Sequence, residues 1–132
     1  MGAAIVLAED EADLRAVYAS CLRAAGFDVW EAADGAEAIT LVADKRPELL
    51  VLDVWMPNLN GFEVLEWLRR DPWAMSLKVV ILSNLGDSDT RLESFAEGVI
   101  DYWIKGLSLS ELIARIRRVL VEAEETPAAA PT

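Results

Sequence analysis

The sequence predicts an α/β domain, a parallel sheet with helices on both faces, and three observations support it. Five short apolar segments alternate with five amphipathic ones along the 132 residues. Two of the apolar segments, Leu49-Leu50-Val51-Leu52 and Lys78-Val79-Val80-Ile81-Leu82, are nearly continuous aliphatic runs, as strands buried on both faces require. Helix-starting and helix-stopping residues separate the strands, so each strand is followed by a helix and returns parallel to the last.

Strand one is Ala4-Ile5-Val6-Leu7. Helix one sets Leu14, Val17, Tyr18, Cys21, Leu22 and Ala25 on one face and is stopped by Gly26. Asp10 with Asp13 fits an N-cap box at its start. Phe27-Asp28-Val29-Trp30 alternates like an edge strand. Helix two begins at Asp34, with Glu37 as its capping partner, and ends before Pro47. Strand three, Leu49 to Leu52, runs into Asp53 and the loop Trp55 to Asn60. Helix three opens at Asn60 with Glu63 and ends near Asp71-Pro72.

Lys78 to Leu82 is strand four. The polar stretch Asn84 to Asp89 leads into helix four, around Leu92, Phe95 and Ala96, which Gly98 stops. Ile100 to Ile104 makes strand five. Ser108 and Glu111 box the start of helix five, which buries Leu112, Ile113, Ile116 and Leu120. Residues 1–121 form one domain; residues 122–132, charged and then rich in Ala and Pro, read as a disordered tail or the stub of a linker.

Composition narrows the functions. A hydrophobic content of 54% excludes disorder for most of the chain. A net charge of −11 argues against direct nucleic-acid binding by this domain. No apolar run nears the roughly 20 residues of a membrane span, and the first residues lack a leader pattern, so the expected compartment is the cytoplasm. The lone Cys21 excludes an intrachain disulfide, and its helical spacing places it in the core. The absence of histidine removes imidazole acid–base chemistry and any phosphohistidine role.

Asp53 carries the functional reading. A carboxylate directly after four large aliphatic residues is buried unless it has partners, and open α/β sheets place reactive groups at the carboxyl ends of their strands. By that rule Glu9 and Asp10 after strand one, Ser83 after strand four and Lys105 after strand five converge on Asp53. Three clustered carboxylates repel and invite a hard divalent cation such as Mg²⁺. With the metal bound, the group suits a phosphoryl acceptor: Asp53 attacks to form an acyl phosphate, Lys105 neutralises the phosphoryl oxygens, and the Ser83 hydroxyl donates to one of them. Each residue has a plainer role: Asp10 as a helix cap, Glu9 as a solvated acid, Ser83 in a turn, Lys105 as a surface charge. Their coincidence at the mouth of one sheet favours chemistry.

The segments Ile5-Val-Leu-Ala-Glu-Asp-Glu-Ala-Asp-Leu-Arg15, Leu50-Val-Leu-Asp-Val-Trp-Met-Pro57, Asn60-Gly61-Phe62, Val80-Ile-Leu-Ser83 and Asp101-Tyr102-Trp-Ile-Lys105 together resemble the receiver domains of bacterial response regulators. The resemblance covers residues 4 to about 121. It implies a doubly wound (βα)5, flavodoxin-like three-layer sandwich with strand order 2-1-3-4-5. It also implies that Asp53 accepts a phosphoryl group from a histidine kinase or a phosphotransfer protein. Glu9 and Asp10, with Asp53 and the backbone carbonyl of Trp55, would hold Mg²⁺, or Mn²⁺ in its place. Ser83 and Tyr102 match the switch pair that carries the signal to the helix 4–strand 5–helix 5 face, toward an output domain or partner. Such a chain is a relay that assists its own phosphorylation and dephosphorylation, not a metabolic enzyme, and it needs no membrane. Arg91, Asp101 and Arg115 resemble part of a charged set used for homodimers through that face, with Ile100 where another acid is expected.

The chain departs from that family at a few positions. Gly106 replaces the usual proline after the lysine, which predicts a looser Lys105. Asn84 stands where a small residue is usual, and Trp55 and Leu85 are large; together they predict restricted water access and slow loss of the phosphoryl group. Two other readings compete. An aspartyl phosphohydrolase of the haloacid-dehalogenase type needs an acid two residues after the nucleophile, where this chain has Trp55. A receiver-like interaction module independent of phosphorylation would tolerate Gly106 and Asn84. The tryptophans (Trp30, Trp55, Trp67, Trp73, Trp103) are expected to pack, and Arg115, Arg117 and Arg118 to complement the carbonyl end of helix five.

Overall fold

The computed structural model describes residues 2–84 and 99–129. Strands β1 (Ala4–Ala8), β2 (Asp28–Ala32), β3 (Leu49–Asp53), β4 (Lys78–Ser83) and β5 (Asp101–Ile104) form one sheet, in the order β2-β1-β3-β4-β5, with every adjacent pair parallel. The helices are α1 (Ala12–Ala24), α2 (Gly35–Lys45), α3 (Gly61–Leu68) and a C-terminal helix (Leu109–Ala129), and a short 3-10 helix (Trp73–Ser76) leads into β4. The α/β class and strand order are as expected. Helix four, with Leu92, Phe95, Ala96 and Gly98, lies outside the described residues, as do Leu85 and Arg91.

The unbroken apolar run of β3 is explained by what covers it. Leu50 and Leu52 enter a core with Ile39 and Val42 of α2 and Phe62 and Leu65 of α3. Leu49 and Val51 point the other way, to Tyr18 and Leu22 of α1 and to Leu112 and Ile116 of the C-terminal helix. A central strand covered on both faces has no position for a solvated residue, and each such side chain contributes about 1.5–3 kcal/mol by burial.

Local chemistry sets most boundaries. Gly26, at φ +100°, ends α1 with the N–H of Phe27 on the Leu22 carbonyl and its own on Arg23, a paired closure that favours glycine. Asp34 caps α2 through the Glu37 N–H at 2.8 Å, while the Glu37 carboxylate reaches back to the N–H of Ala33. Asn60 and Glu63 form the full reciprocal box at α3, and Ser108 Oγ accepts the Glu111 N–H of the C-terminal helix at 3.2 Å.

Several expectations need correction. Glu11, without a side-chain capping bond, is the N-cap of α1, so Asp10 is not the cap. Cys21 is only half-buried and Val17 is 49% exposed, because the C-terminal helix covers only part of α1 and leaves a groove lined by Val17, Cys21, Leu109 and Ile113. β2 lies further along the chain than expected, and α3 stops at Leu68, before Asp71-Pro72. In the C-terminal helix Val119 is buried, whereas Ile113 and Leu120 pack only at the margin. That helix runs past residue 121 to Ala129; Glu and Ala favour helix as far as Glu125, whereas Pro127 does not. Arg115, Arg117 and Arg118 are therefore mid-helix, away from its carbonyl end. Arg115 instead pairs with Glu111 at 2.9 Å and lies over Trp103, and Arg117 reaches the Ala25 carbonyl. Trp103 is buried, and Trp30 and Trp73 pack against the core beneath Lys45 and Arg46, but Trp55 and Trp67 are exposed.

Candidate functional site

The parallel register brings the carboxyl ends of β1, β3, β4 and β5 to one edge of the sheet. Glu9 and Asp10 follow β1, Asp53 ends β3, Ser83 ends β4, and Lys105 follows β5. The Lys105 ammonium lies 2.8 Å from Glu9 Oε1 and 3.0 Å from Asp53 Oδ2. Carboxylate oxygens of Glu9, Asp10 and Asp53 all lie within 4.8 Å of one another; Glu9 and Asp53 are buried and Asp10 is exposed at the mouth.

Glu9 is held at every polar atom. Its N–H donates to the Ala32 carbonyl of β2, and its carbonyl accepts from the Arg15 guanidinium at 2.8 Å. Oε2 accepts the Glu11 N–H at 3.0 Å and Oε1 meets Lys105. Arg15 is itself fixed by Glu31 of β2 at 3.4 Å. Asp53 Oδ1 accepts the Trp55 N–H at 3.3 Å. Burial, then the neighbouring Glu9 carboxylate, pushes the Asp53 carboxyl up to about 8, against the opposing pull of Lys105. Burial works against the Lys105 ammonium, but its bonds to Glu9 and Asp53 carry its pKa upward.

Among the described residues, three acids face one ammonium and are short of positive charge. Glu9 Oε1 and Asp53 Oδ2 are fully buried and, among the described residues, have no hydrogen-bond donor beyond the Lys105 ammonium. An all-oxygen set of this kind fits a hard divalent ion such as Mg²⁺ or Mn²⁺.

Two backbone hydrogen bonds flank Lys105. Its N–H donates to the Ser83 carbonyl at 2.7 Å, and Gly106, at φ +95°, donates its N–H to the Tyr18 hydroxyl. Ser83 is buried beside this backbone bridge. Ile104, not Tyr102, is its register partner; Tyr102 pairs with Ile81 and so lies on the same sheet face, 37% exposed. Burial raises the Tyr102 phenol. The Trp55 indole stands edge-on to Phe62 with centroids 5.6 Å apart, and Asn84 is exposed directly after Ser83.

Sequence reasoning missed several supports. A Cβ on Gly61 would come within 2.7 Å of the Asp53 carbonyl oxygen, and one on Gly35 within 2.0 Å of that of Leu59. Helices α2 and α3 therefore close onto the loop after Asp53. Asn58, at φ +67°, donates to Asp34 at 2.7 Å and fastens that loop to α2. The Glu37 N–H and the Asn58 amide hold the Asp34 carboxyl below its usual range. The signals were Asn58 in a turn and the glycines that open α2 and α3; the partners are not apparent from local sequence.

A family model described as the response regulator receiver domain matches residues 5–117. The phosphate regulon transcriptional regulatory protein PhoB of Pseudomonas aeruginosa is 32% identical over 120 residues, 91% of this chain and 52% of that protein. The chain thus spans about half the length of that curated relative. A crystal structure of a putative response regulator from Chloroflexus aurantiacus superposes with TM-score 0.82 at 26% identity, covering 92% of this chain and 99% of that one. The receiver domain of the Pseudomonas aeruginosa sensor histidine kinase PA1611, with a magnesium ion in its active-site cleft, has the same fold at 24% identity and TM-score 0.82, covering 91% and 98%.

Proposed function

The chain belongs to the response-regulator receiver family, and from that premise we propose that Asp53 is its phosphoacceptor, with Glu9, Asp10 and the Trp55 carbonyl completing a Mg²⁺ site. One observation carries the reading. Asp53 is buried at the carboxyl end of the central strand, within 4.8 Å of two other acids and 3.0 Å from Lys105.

The donor in this reading is a phosphohistidine on a histidine kinase or phosphotransfer protein. An Asp53 oxygen attacks the phosphorus, the new P–O bond forms as the P–N bond breaks, and the electron pair leaves with the donor imidazole. The Trp55 N–H on Oδ1 and Lys105 on Oδ2 orient the carboxylate before attack. Lys105 then follows the charge from carboxylate to phosphoryl oxygens, and the Ser83 hydroxyl donates to one of them. Bound Mg²⁺ would supply further neutralisation of those oxygens. The magnesium ion in the active-site cleft of the PA1611 receiver supports a metal at this site, and Mn²⁺ is the expected substitute.

Ser83 moving toward the phosphoryl group acts on the face it shares with Tyr102 and Ile104, and so on the helix 4–strand 5–helix 5 surface. The exposed apolar residues of β5 support a phosphorylation-dependent homodimer there. In the whole protein, residues 122–132 would connect this domain to an output, as the doubled length of PhoB suggests, and the cytoplasm would be the working compartment. Among the described residues no helix is long and apolar enough to cross a membrane.

Mass spectrometry after incubation with acetyl phosphate and Mg²⁺ tests the reading. The expected result is a gain of a single phosphoryl group, absent in Asp53→Asn. No gain in the native protein would favour a phosphorylation-independent module, and steady turnover of phosphoesters would favour a hydrolase.

A further inference from the structure

We infer that Tyr18, on α1, is a positioning residue for Lys105, acting through the backbone N–H of Gly106. The inference rests on the proposed chemistry of Asp53 for its consequence, and on independent geometry for its existence. Tyr18 is 2% exposed and packs in the core between α1, the sheet and the C-terminal helix. A phenylalanine would fill the same space, so the hydroxyl is what needs an explanation; a buried hydroxyl is costly unless it is bonded. It accepts the Gly106 N–H at 3.4 Å, from a residue 88 positions away.

Gly106 is at φ +95°, and a Cβ there would meet nothing within 4 Å, so its backbone conformation, not space, sets the requirement for glycine. A proline at 106 could neither reach that φ nor donate this bond. The turn after Lys105 is therefore held from both sides. The Lys105 N–H is bonded to Ser83 at 2.7 Å, the Gly106 N–H to Tyr18, and Ser108 starts the next helix by accepting the Glu111 N–H. Between these anchors the Lys105 stem leaves the backbone in a fixed direction and ends between Glu9 and Asp53. The same helix, α1, supplies the Arg15 side chain and, from its N-cap, the Glu11 N–H that hold Glu9. One helix thus positions both partners of the 2.8 Å ion pair.

The test uses Tyr18→Phe in the full chain, with native Lys105 and with Lys105→Ala. Acetyl phosphate serves as donor because it needs no protein interface. With Lys105 present, the Mg²⁺-dependent phosphorylation rate is expected to fall about two- to fivefold, at most the worth of one ordinary hydrogen bond, because 3.4 Å is long for one. In Lys105→Ala the same change is expected to do nothing further, since the residue it positions is gone. An equal loss in both backgrounds, or no loss with Lys105 present, would overturn the inference. If the native protein accepts no phosphoryl group, the phosphoacceptor reading fails by itself. Amide exchange at Gly106 then decides for Tyr18: protection in the native protein that is lost in Tyr18→Phe supports the link, and equal exchange in both refutes it.

Discussion

Asp53 combines a buried charge with too few counter-charges, and its titration follows from that. In the metal-free protein its carboxyl is raised to about 8, from 3.8 in an unexceptional setting. Between those values the folded protein binds a proton that the unfolded chain has released, so stability falls as pH rises across the window. Asp53→Asn has no such proton to lose. It is expected to melt higher than the native protein at pH 8 in the absence of divalent ions, with the gap narrowing toward pH 5. A pH series of thermal melts checks this, and a gap that does not change with pH would contradict it. The same linkage makes Mg²⁺ compete with protons: affinity measured by calorimetry should rise with pH below 8, by up to about tenfold per unit for one displaced proton. Gly106 makes a different point at this scale. Gly106→Ala meets no atom but is held at φ +95°, so it is expected to cost about 1–2 kcal/mol, read as a lower denaturation midpoint, while the bond to Tyr18 survives.

The elements are legible in the sequence where their chemistry is local. Asp34, Asn60 and Ser108 read as caps because each partner lies three residues on, and the structure has a cap bond at all three. The start of α1 misleads because Asp10 looks like a good cap, yet its carboxylate lies at the acidic cluster and Glu11 takes the capping position. Val17 and Cys21 follow the apolar period but face a groove, which periodicity cannot foresee. The pairs Tyr18–Gly106, Asn58–Asp34 and Arg23–Glu31 need the fold to bring them together. Helix α3 separates stability from site geometry. Asn60→Ala removes the cap and is expected to cost about 1 kcal/mol with phosphorylation little changed. Gly61→Ala places a carbon 2.7 Å from the Asp53 carbonyl, so α3 or β3 must shift. Its expected signature is a much slower reaction with acetyl phosphate for a comparable loss of stability; equal rates in the two variants would contradict the proposed role of that close approach.

For the whole molecule, the alternation of strands and helices dictates the layers, while the strand order follows only from the family resemblance, since spacing alone does not rank parallel strands. The order matters because it puts β5 at the sheet edge next to β4, so that Ser83 and the outward row of β5 share one face. That row holds Tyr102 and Ile104, the latter 50% exposed, and Ile100 just before the strand is 46% exposed. The charged set expected at this face is partly occupied within the chain: the Asp101 carboxylate accepts from the Tyr102 N–H and Trp103 Nε1, and Arg115 pairs with Glu111. Apolar contact is then the stronger source of any phosphorylation-dependent pairing, because exposed ion pairs contribute little. Sedimentation velocity at tens of micromolar, roughly the range for small transient interfaces, is expected to show dimer only with acetyl phosphate and Mg²⁺ present. Ile104→Asp should abolish that dimer and leave Asp53 phosphorylation intact, since the side chain is half in solvent already. A dimer that persists in Ile104→Asp would move the interface elsewhere, and a phosphorylated native protein that stays monomeric would remove this route of signalling.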